Sequence, residues 1–251
     1  FDNDGNVTND IEAAEAKACQ EIENVFDAHS DKIAAIVIEP MQGEGGDNHF
    51  RNEFLEKLRH YADEREALLV FDEVQTGFGR TGAHFAHQLY GIKPDIMGCG
   101  KAAGGGILPV SFVAGRDEVI GVLTPGSEGS TFGGYPLASV VSVFSIKVLV
   151  EDKLAENAML RGSQLLEHFN NLKSEFPDKI KEVRGKGLLT AFEMFDDPKL
   201  DGHKVSLGLL KQNVYAKETH HSTLRIAPSL TINAVQIDQI AGAIQKVIGN
   251  L

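Results

Sequence analysis

The sequence predicts an α/β protein with a mostly parallel sheet in its first half and a small α+β domain near its end. Three observations predict this architecture. Short β-branched apolar runs alternate with amphipathic helical segments before residue 135, two long helical patterns follow, and short strands alternate with helices after Lys179. We therefore expect a large domain over residues 1–150 and a small domain over residues 151–251.

The first half contains a β-α-β pattern preceded by a helix. Apolar residues recur at steps of three and four between Thr8 and Ala28, which predicts an amphipathic helix. The unbroken apolar run from Ile33 to Ile38 is typical of a buried parallel strand. A second amphipathic helix, a second buried strand and two further apolar pieces follow at Arg51 to Arg65, Leu68 to Phe71, Asp95 to Met97 and Val110 to Ala114.

The spacing of apolar residues changes twice in the second half of the chain. Two successive helices are predicted between Tyr135 and Phe176, with a break near Asp152. The remaining segments predict strands at Lys181 to Val183, Leu188 to Phe195, Val214 to Ala216 and Leu224 to Ile226, and helices near Val205 to Leu210 and Ala234 to Val247.

Composition excludes several classes of function. The 251 residues include 36 acidic and 24 basic side chains, and this net charge of −12 without a basic cluster makes nucleic acid an unfavourable partner. No apolar run reaches the roughly 18 residues of a membrane-spanning helix. The two cysteines, Cys19 and Cys99, form no disulfide or zinc-binding pattern, which favours a reducing cytoplasm.

Two motif lookalikes are better explained structurally. The run Gly77 to Gly82 matches G-x-G-x-x-G, but it begins five residues after Asp72 instead of in the turn directly after a strand, so it does not predict a dinucleotide site. His84 and His87, like the pair His220-His221, lack a third ligand at motif spacing, so no metal is expected.

A more informative pair consists of Asp72 and Lys101, which lie in glycine-rich surroundings after predicted strands. Ligands in α/β proteins bind outside the carboxyl ends of strands, so both residues are placed where a site is expected. Pyridoxal phosphate requires a lysine amine for its aldehyde and an anion for its protonated ring nitrogen. Taken alone, however, such an Asp and Lys are more often structural.

The neighbouring motifs favour the functional interpretation. The segments that carry the resemblance are Leu69-Val70-Phe71-Asp72-Glu73-Val74-Gln75-Thr76-Gly77, Gly79-Arg80-Thr81-Gly82, Lys93-Pro94-Asp95-Ile96, Gly100-Lys101, Glu39-Pro40-Met41-Gln42-Gly43-Glu44-Gly45-Gly46, Gly129-Ser130-Thr131-Phe132-Gly133-Gly134, Arg184-Gly185-Lys186-Gly187-Leu188 and Leu224-Arg225-Ile226-Ala227-Pro228. Together they resemble the signature of class III pyridoxal-phosphate aminotransferases. The resemblance implies a fold-type I transferase, an enzyme that uses pyridoxal 5'-phosphate.

The resemblance implies a role for each cofactor-binding residue. Lys101 would bind the cofactor aldehyde and move a proton, Asp72 would pair with the ring nitrogen, and Gln75 would donate a hydrogen bond to the phenolic oxygen. Ser130 and Thr131 would reach the cofactor phosphate, in this family that of the neighbouring subunit, which implies a homodimer with shared active sites.

The resemblance also implies a substrate switch between Glu44 and Arg225. Glu44 would neutralise Arg225 while a diamine donor is bound, and would move aside so that Arg225 binds the carboxylate of 2-oxoglutarate. An ordinary salt bridge is the competing interpretation. The segments Glu128 to Gly134 and Ala216 to His220 resemble ornithine aminotransferases, whereas Gly43 to Arg51 is similar to lysine 6-aminotransferases.

We therefore expect transfer of a terminal amino group, from ornithine, to 2-oxoglutarate, giving glutamate and a semialdehyde. The alternatives are lysine 6-aminotransferase, acetylornithine aminotransferase, semialdehyde aminomutase and amino-acid racemase activity. The chain begins with Phe1, and the family's first strands, phosphate-binding turn and ring-stacking aromatics have no counterpart in it. We accordingly expect a C-terminal part of a longer chain, which by itself could be a catalytically silent folding or dimerisation piece.

Overall fold

The computed structural model describes residues 9–29, 32–197, 200–219 and 222–251. Its first part contains the elements α1 (Asn9–Ala28), β1 (Ala35–Ile38), α2 (Asn52–Glu64), β2 (Leu68–Asp72), α3 (His87–Tyr90), β3 (Ile96–Cys99), a 3₁₀ turn (Lys101–Gly104), β4 (Phe112–Gly115), α4 (Asp117–Ile120) and α5 (Pro136–Glu151). The predicted order of strands and helices in this half is confirmed.

The four strands of the first half form one sheet in the order β1-β2-β3-β4. The pairs β1–β2 and β2–β3 are parallel, as predicted. The predicted burial of the first apolar run is wrong for β1, which is an edge strand of this sheet with Val37 68% exposed. β4 is antiparallel to β3, because residues 100–111 connect them through a single 3₁₀ turn and contain no helix that could return the chain to the other end of the sheet. The sheet is therefore mixed but mostly parallel, which confirms the α/β class.

The core of this sheet is built by α2 against the central strands. Phe54, Leu55 and Leu58 on one face of α2 pack with Leu69 and Phe71 of β2, and all five side chains are buried. Burial of such apolar side chains stabilises the fold by about 1.5–3 kcal/mol each. The helical period of α2 and the continuous apolar run of β2 thus meet at one interface.

The second part contains the elements α6 (Leu154–Glu175), β5 (Ile180–Lys186), β6 (Leu189–Met194), α7 (Gly202–Leu210), β7 (Lys217–Thr219), β8 (Thr223–Ile226) and α8 (Ala234–Gly249). The strands form an antiparallel sheet in the order β5-β6-β8-β7. Phe169 of α6 and Phe192 of β6 meet edge to face in its core, with ring centroids 5.4 Å apart.

One strand of this sheet lies later in the chain than predicted. The sequence predicts a strand at Val214 to Ala216, whereas β7 begins at Lys217. Val214 belongs to the turn that ends α7, since its N–H donates to the carbonyl of Leu209 and the preceding Asn213 has φ of 60°. The shift matters for the site because it places Lys217 directly opposite Arg225 of β8.

The division of the chain into two domains at residue 150 stays a prediction. In the chain, α5 and α6 separate the strands of the two sheets. In the described part of the chain, no helix is both long and apolar enough to cross a membrane.

Candidate active site

The candidate site lies at the carboxyl ends of β1, β2 and β3. Asp72 is the last residue of β2, where it pairs in register with Gly98 of β3. The backbone N–H of Val74 donates to Asp72 Oδ1 at 2.9 Å. This hydrogen bond holds the carboxylate in one orientation at the sheet edge where ligands of α/β proteins bind.

Lys101 follows β3 and contacts a residue that follows β2. Its Nζ donates to the Oε1 atom of Gln75. The backbone of Lys101 has φ of 44°, in the left-handed region that non-glycine residues rarely adopt, at the start of the 3₁₀ turn. The loop after β1 also reaches this point, since a Cβ added to Gly43 would lie 2.8 Å from Gln75 Cγ. Loops after three neighbouring parallel strands therefore converge on Gln75.

A cavity of about 640 Å³ adjoins Lys101 and Arg80. Most of its wall is apolar, and α5 contributes Val141, Phe144 and Leu149 among others. Neither Asp72 nor Gln75 lines this cavity. The polar cluster at the strand ends, rather than the cavity, is therefore the better candidate for the chemical site.

The residues present fit pyridoxal phosphate. An amine at Lys101 and an oriented carboxylate at Asp72 are the two groups that the cofactor's aldehyde and protonated ring nitrogen need. Gln75 lies in contact with the amine, where its amide can serve the neighbouring ring oxygen. The assignment of these roles to Lys101, Asp72 and Gln75 stays a proposal.

Glu44 joins the loop after β1 to the second sheet. Its Oε1 accepts a hydrogen bond from Arg225 Nη2 at 2.9 Å, and both carboxylate oxygens lie 2.7 Å from Lys217 Nζ. The hydrogen bonds from Lys217 and Arg225 lower the pKa of Glu44 to about 2, so the carboxylate is ionised at neutral pH. The predicted pairing of Glu44 and Arg225 is present, and Lys217 is a third member that the sequence did not reveal.

Arg184 of β5 fixes the loop that carries Glu44. Its Nη2 donates to the carbonyl of Gly46 at 2.7 Å, and its Nε donates to the carbonyls of Gly46 and Asp47 at 3.1 and 3.2 Å. Glu193 of β6 holds the guanidinium from the other side at 2.9 Å. Hydrogen bonds from a charged donor are stronger than those between neutral groups. The backbone of the loop that carries Glu44 is therefore firmly attached to the sheet that contains β5.

The carboxyl group of Asp47 is buried near these basic groups. Its side chain is 0% exposed, and among the described residues neither carboxylate oxygen has a hydrogen-bond partner. Burial raises the pKa of Asp47 to about 7, although the charges of Arg225 and Arg184 oppose this effect. The loop therefore carries two carboxyl groups with opposite pKa shifts, one exposed and ionised and one buried.

The glycine-rich run Gly77 to Gly82 connects the two sheets. It presents Arg80, whose Nη1 donates to the carbonyls of Leu188 at 3.1 Å and Pro228 at 2.6 Å. Burial, followed by the nearby charge of Arg225, lowers the pKa of Arg80 to about 10. The segment thus links the two sheets, in place of the dinucleotide role that its glycine spacing superficially suggests.

Glu73, next to Asp72, organises the same loop from within. The side chain is 0% exposed and accepts hydrogen bonds from Thr76 Oγ1 at 2.7 Å and from the backbone N–H groups of Ala86 and His87 at 2.8 and 2.7 Å. Burial alone would raise its pKa, but the hydrogen bonds, above all from His87, lower it. Sequence reasoning missed this residue because a charged side chain next to a strand end is normally expected in solvent.

Ser130 and Thr131 lie in an exposed loop between α4 and α5. The carbonyl of Ser130 accepts from the N–H of Gly133 at 3.0 Å, so the loop turns tightly there. Within the described part of the chain, no hydrogen bond joins either residue to Lys101 or Asp72. Their expected contact with the cofactor of a neighbouring subunit stays a prediction.

Of the histidines considered as metal ligands, His87 contacts a buried carboxylate. His87 Nδ1 lies 3.2 Å from Glu73 Oε1, and among the described residues no group of three or more His, Cys, Asp or Glu side chains could hold a metal ion. His220 and His221 lie outside the described residues.

Comparison with known proteins identifies the family. The sequence profile of aminotransferase class III matches residues 3–248. An ornithine aminotransferase from Staphylococcus carnosus is 42% identical over 228 residues, which cover 90% of this chain and 56% of the relative. Ornithine aminotransferase 1 from Staphylococcus aureus strain MRSA252 is 40% identical over 92% of this chain and 57% of its own length. The chain thus spans little more than half the length of these relatives.

Solved structures agree with these sequence matches. An ornithine aminotransferase from Plasmodium yoelii superposes with a TM-score of 0.83 at 36% identity, covering 91% of this chain and 60% of its own. An acetylornithine aminotransferase from Elizabethkingia anophelis superposes with a TM-score of 0.87 at 35% identity, covering 93% and 58%. These similarities confirm the fold-type I architecture and the use of pyridoxal phosphate by the family. By its sequence profile, its relatives and its fold, this chain belongs to the class III aminotransferases.

Proposed function

We propose that the full-length protein transfers the terminal amino group of ornithine to 2-oxoglutarate, giving glutamate and a semialdehyde. The observation that carries this proposal is the contact of Glu44 with Arg225 at 2.9 Å. With Glu44 in place, the guanidinium is neutralised and does not attract a donor carboxylate. With Glu44 displaced, the same guanidinium is free to bind an acceptor carboxylate in two places.

Lys101, Asp72 and Arg225 would each have a separate role in the reaction. Lys101 Nζ would hold the cofactor aldehyde and, as a free amine, would accept and return a proton. Asp72 would hold the proton of the ring nitrogen, which would keep the positive charge there. When bound, pyridoxal phosphate supplies an electron sink for the reacting carbon. Arg225, 9% exposed on β8, fixes the acceptor with little loss of side-chain freedom because it is already ordered.

The test of the lysine assignment is chemical labelling. The full-length protein is loaded with cofactor, reduced with borohydride, digested and mapped by mass spectrometry. We expect the pyridoxyl group on Lys101. Label on Lys93 or Lys147 instead would contradict the assignment, and a Lys101→Ala variant serves as the control for nonspecific labelling.

The test of the donor is a substrate comparison. We expect kcat/KM with ornithine to exceed that with lysine and with N-acetylornithine, and glutamate to be formed from 2-oxoglutarate. Acetylornithine is the second candidate donor because the Elizabethkingia anophelis enzyme has the higher TM-score of the two structures compared above. Preference for N-acetylornithine would replace the ornithine proposal, and isomerised or racemised products would favour the aminomutase or racemase alternatives.

We also propose that the protein acts as a homodimer in the cytoplasm. Apolar side chains near the Ser130 loop and along α5 are exposed, with Phe132 at 78% and Phe144 at 60%, which supports a protein partner on this face. Cys19 and Cys99 are free thiols, which supports a reducing compartment. Sedimentation of the full-length protein as a monomer, or its recovery outside the cytoplasmic fraction, would contradict these proposals.

A further inference from the structure

Lys217 holds Glu44 more completely than Arg225 does. Lys217 Nζ lies 2.7 Å from both oxygens of the carboxylate, whereas Arg225 contacts only Oε1. Lys217 and Arg225 are direct partners on β7 and β8, so their side chains leave the sheet on the same face. The acidic side chain is therefore shared between two cations that stand side by side.

The two cations differ in mobility. Arg225 lies on a strand with neighbours on both sides, and its side chain is 9% exposed. Lys217 lies on the edge strand with a side chain that is 48% exposed, and the side chain of Glu44 is 61% exposed. Loss of one hydrogen bond, to Arg225, would let Glu44 move outward while it keeps both contacts with the flexible lysine.

We propose that Lys217 is a positioning residue that retains Glu44 while Arg225 binds the carboxylate of the acceptor. The inference rests on the proposed function of the Glu44–Arg225 pair. It assigns the place to which Glu44 moves, and it explains how the switch can open without leaving a carboxylate unpaired.

The negative charge of Glu44 makes such a retaining cation favourable. Because its pKa lies near 2, Glu44 cannot leave Arg225 by taking up a proton at neutral pH. It has to leave as an anion, and the buried carboxyl of Asp47 nearby offers it no positive charge. An ammonium group already in contact keeps the displaced anion paired.

The direction of the effect follows from this geometry. While Arg225 also holds Glu44, the contribution of Lys217 is partly redundant. Once Arg225 is bound to the acceptor, Lys217 is the remaining cation in contact with Glu44. Removing Lys217 therefore destabilises the acceptor-bound state more than the donor-bound state. Exposed ion pairs have small energies, so we expect the acceptor to bind up to about fivefold more weakly.

The test compares charge variants of the full-length enzyme carrying its cofactor. Binding of glutarate, a dicarboxylate that cannot be aminated, is measured by titration calorimetry, and the glutamate/2-oxoglutarate half-reaction by absorbance. For Lys217→Gln we expect a rise of about fivefold in the glutarate Kd and in the KM for 2-oxoglutarate, with the limiting rate within about twofold. Lys217→Arg should recover most of the loss. Lys246→Gln, which removes one exposed charge from α8 where Lys246 contacts Gln212, should change neither value.

A double-variant cycle separates this role from simple attraction of the substrate. If Lys217 acts through Glu44, Lys217→Gln should have no further effect in a Glu44→Gln background. An undiminished effect in that background, or a tighter glutarate Kd for Lys217→Gln alone, would overturn the proposal. Neither measurement uses ornithine, so a protein that binds glutarate as expected but does not use ornithine would refute only the proposed donor.

Discussion

Replacing Gly162 with alanine should destabilise the protein, although alanine favours helices. Gly162 lies inside α6, and a Cβ at this position would be 1.9 Å from the backbone oxygen of Gly187 and 2.3 Å from its carbonyl carbon. In real structures a Cβ essentially never lies within 3.0 Å of a heavy atom outside its own local chain. The backbones at residues 162 and 187 would therefore have to separate by about 1 Å in a close-packed region.

The separation would also disturb the contact between the two sheets. A Cβ added to Gly187, which has φ of 55°, would lie 2.4 Å from the carbonyl carbon of Thr81 and 2.5 Å from the backbone nitrogen of Gly82, so three backbone segments approach closely there. The neighbouring Leu188 exchanges hydrogen bonds with Arg80 on both its N–H and its carbonyl, at 2.9 and 3.1 Å. Overpacking and strained contacts of this kind cost about 1–3 kcal/mol, and we expect Gly162→Ala to lose about 3 kcal/mol in the free energy of unfolding.

Gly242→Ala is the matched control. Gly242 lies inside α8, and apart from the adjacent backbone of α8 no heavy atom of the described residues lies within 4 Å of the position that its Cβ would take. Here only helix propensity changes, so we expect a gain of about 0.5–1 kcal/mol. The assay is denaturant unfolding of the full-length protein followed by circular dichroism, with comparison of the midpoints at a constant slope. Equal stability of the two variants would show that α6 does not approach Gly187 as closely as described.

Three further predictions concern the site. Asp72→Asn should keep the fold but lose most amino transfer, because a neutral amide cannot hold the ring-nitrogen proton; near-normal turnover with bound cofactor would contradict this. Burial raises the pKa of Asp47 from 3.8 to about 7. The stability that the protonated carboxyl contributes is therefore fully present below pH 3.8 and is lost as the pH rises through about 7. Asp47→Asn should therefore reduce the loss of stability between about pH 4 and pH 7 in unfolding experiments, and an unchanged pH dependence would show that Asp47 is ionised when folded. Glu73→Gln should lower the free energy of unfolding by about 1–3 kcal/mol, because one amide oxygen cannot replace the carboxylate that accepts from Thr76, Ala86 and His87; a midpoint equal to wild type would refute this.

Local periodicity determined most of the elements. The helix around Leu55 and Leu58 and the strand from Leu68 were predictable because apolar side chains at those spacings can be buried only in one local conformation. The positions of Asp72 and Lys101 followed from the same reasoning, since the ends of parallel strands meet at one edge of the sheet, whereas Gln75 was implied by family resemblance. The pairing of Glu44 with Arg225 was implied by family resemblance and not by periodicity.

Tertiary structure alone decided the contacts that hold this site together. Arg184 reaches the carbonyl of Gly46 across 138 positions, and Lys217 reaches Glu44 across 173. Periodicity reports which face of an element is buried, but it does not report which element lies opposite. The burial of Asp47 and Glu73 likewise depends on segments that reach them from other positions in the chain. The antiparallel direction of β4 and the late start of β7 depend on the connections that precede these strands. The free energy of all these contacts is distributed over residues that are not adjacent in sequence, so no local pattern reports it.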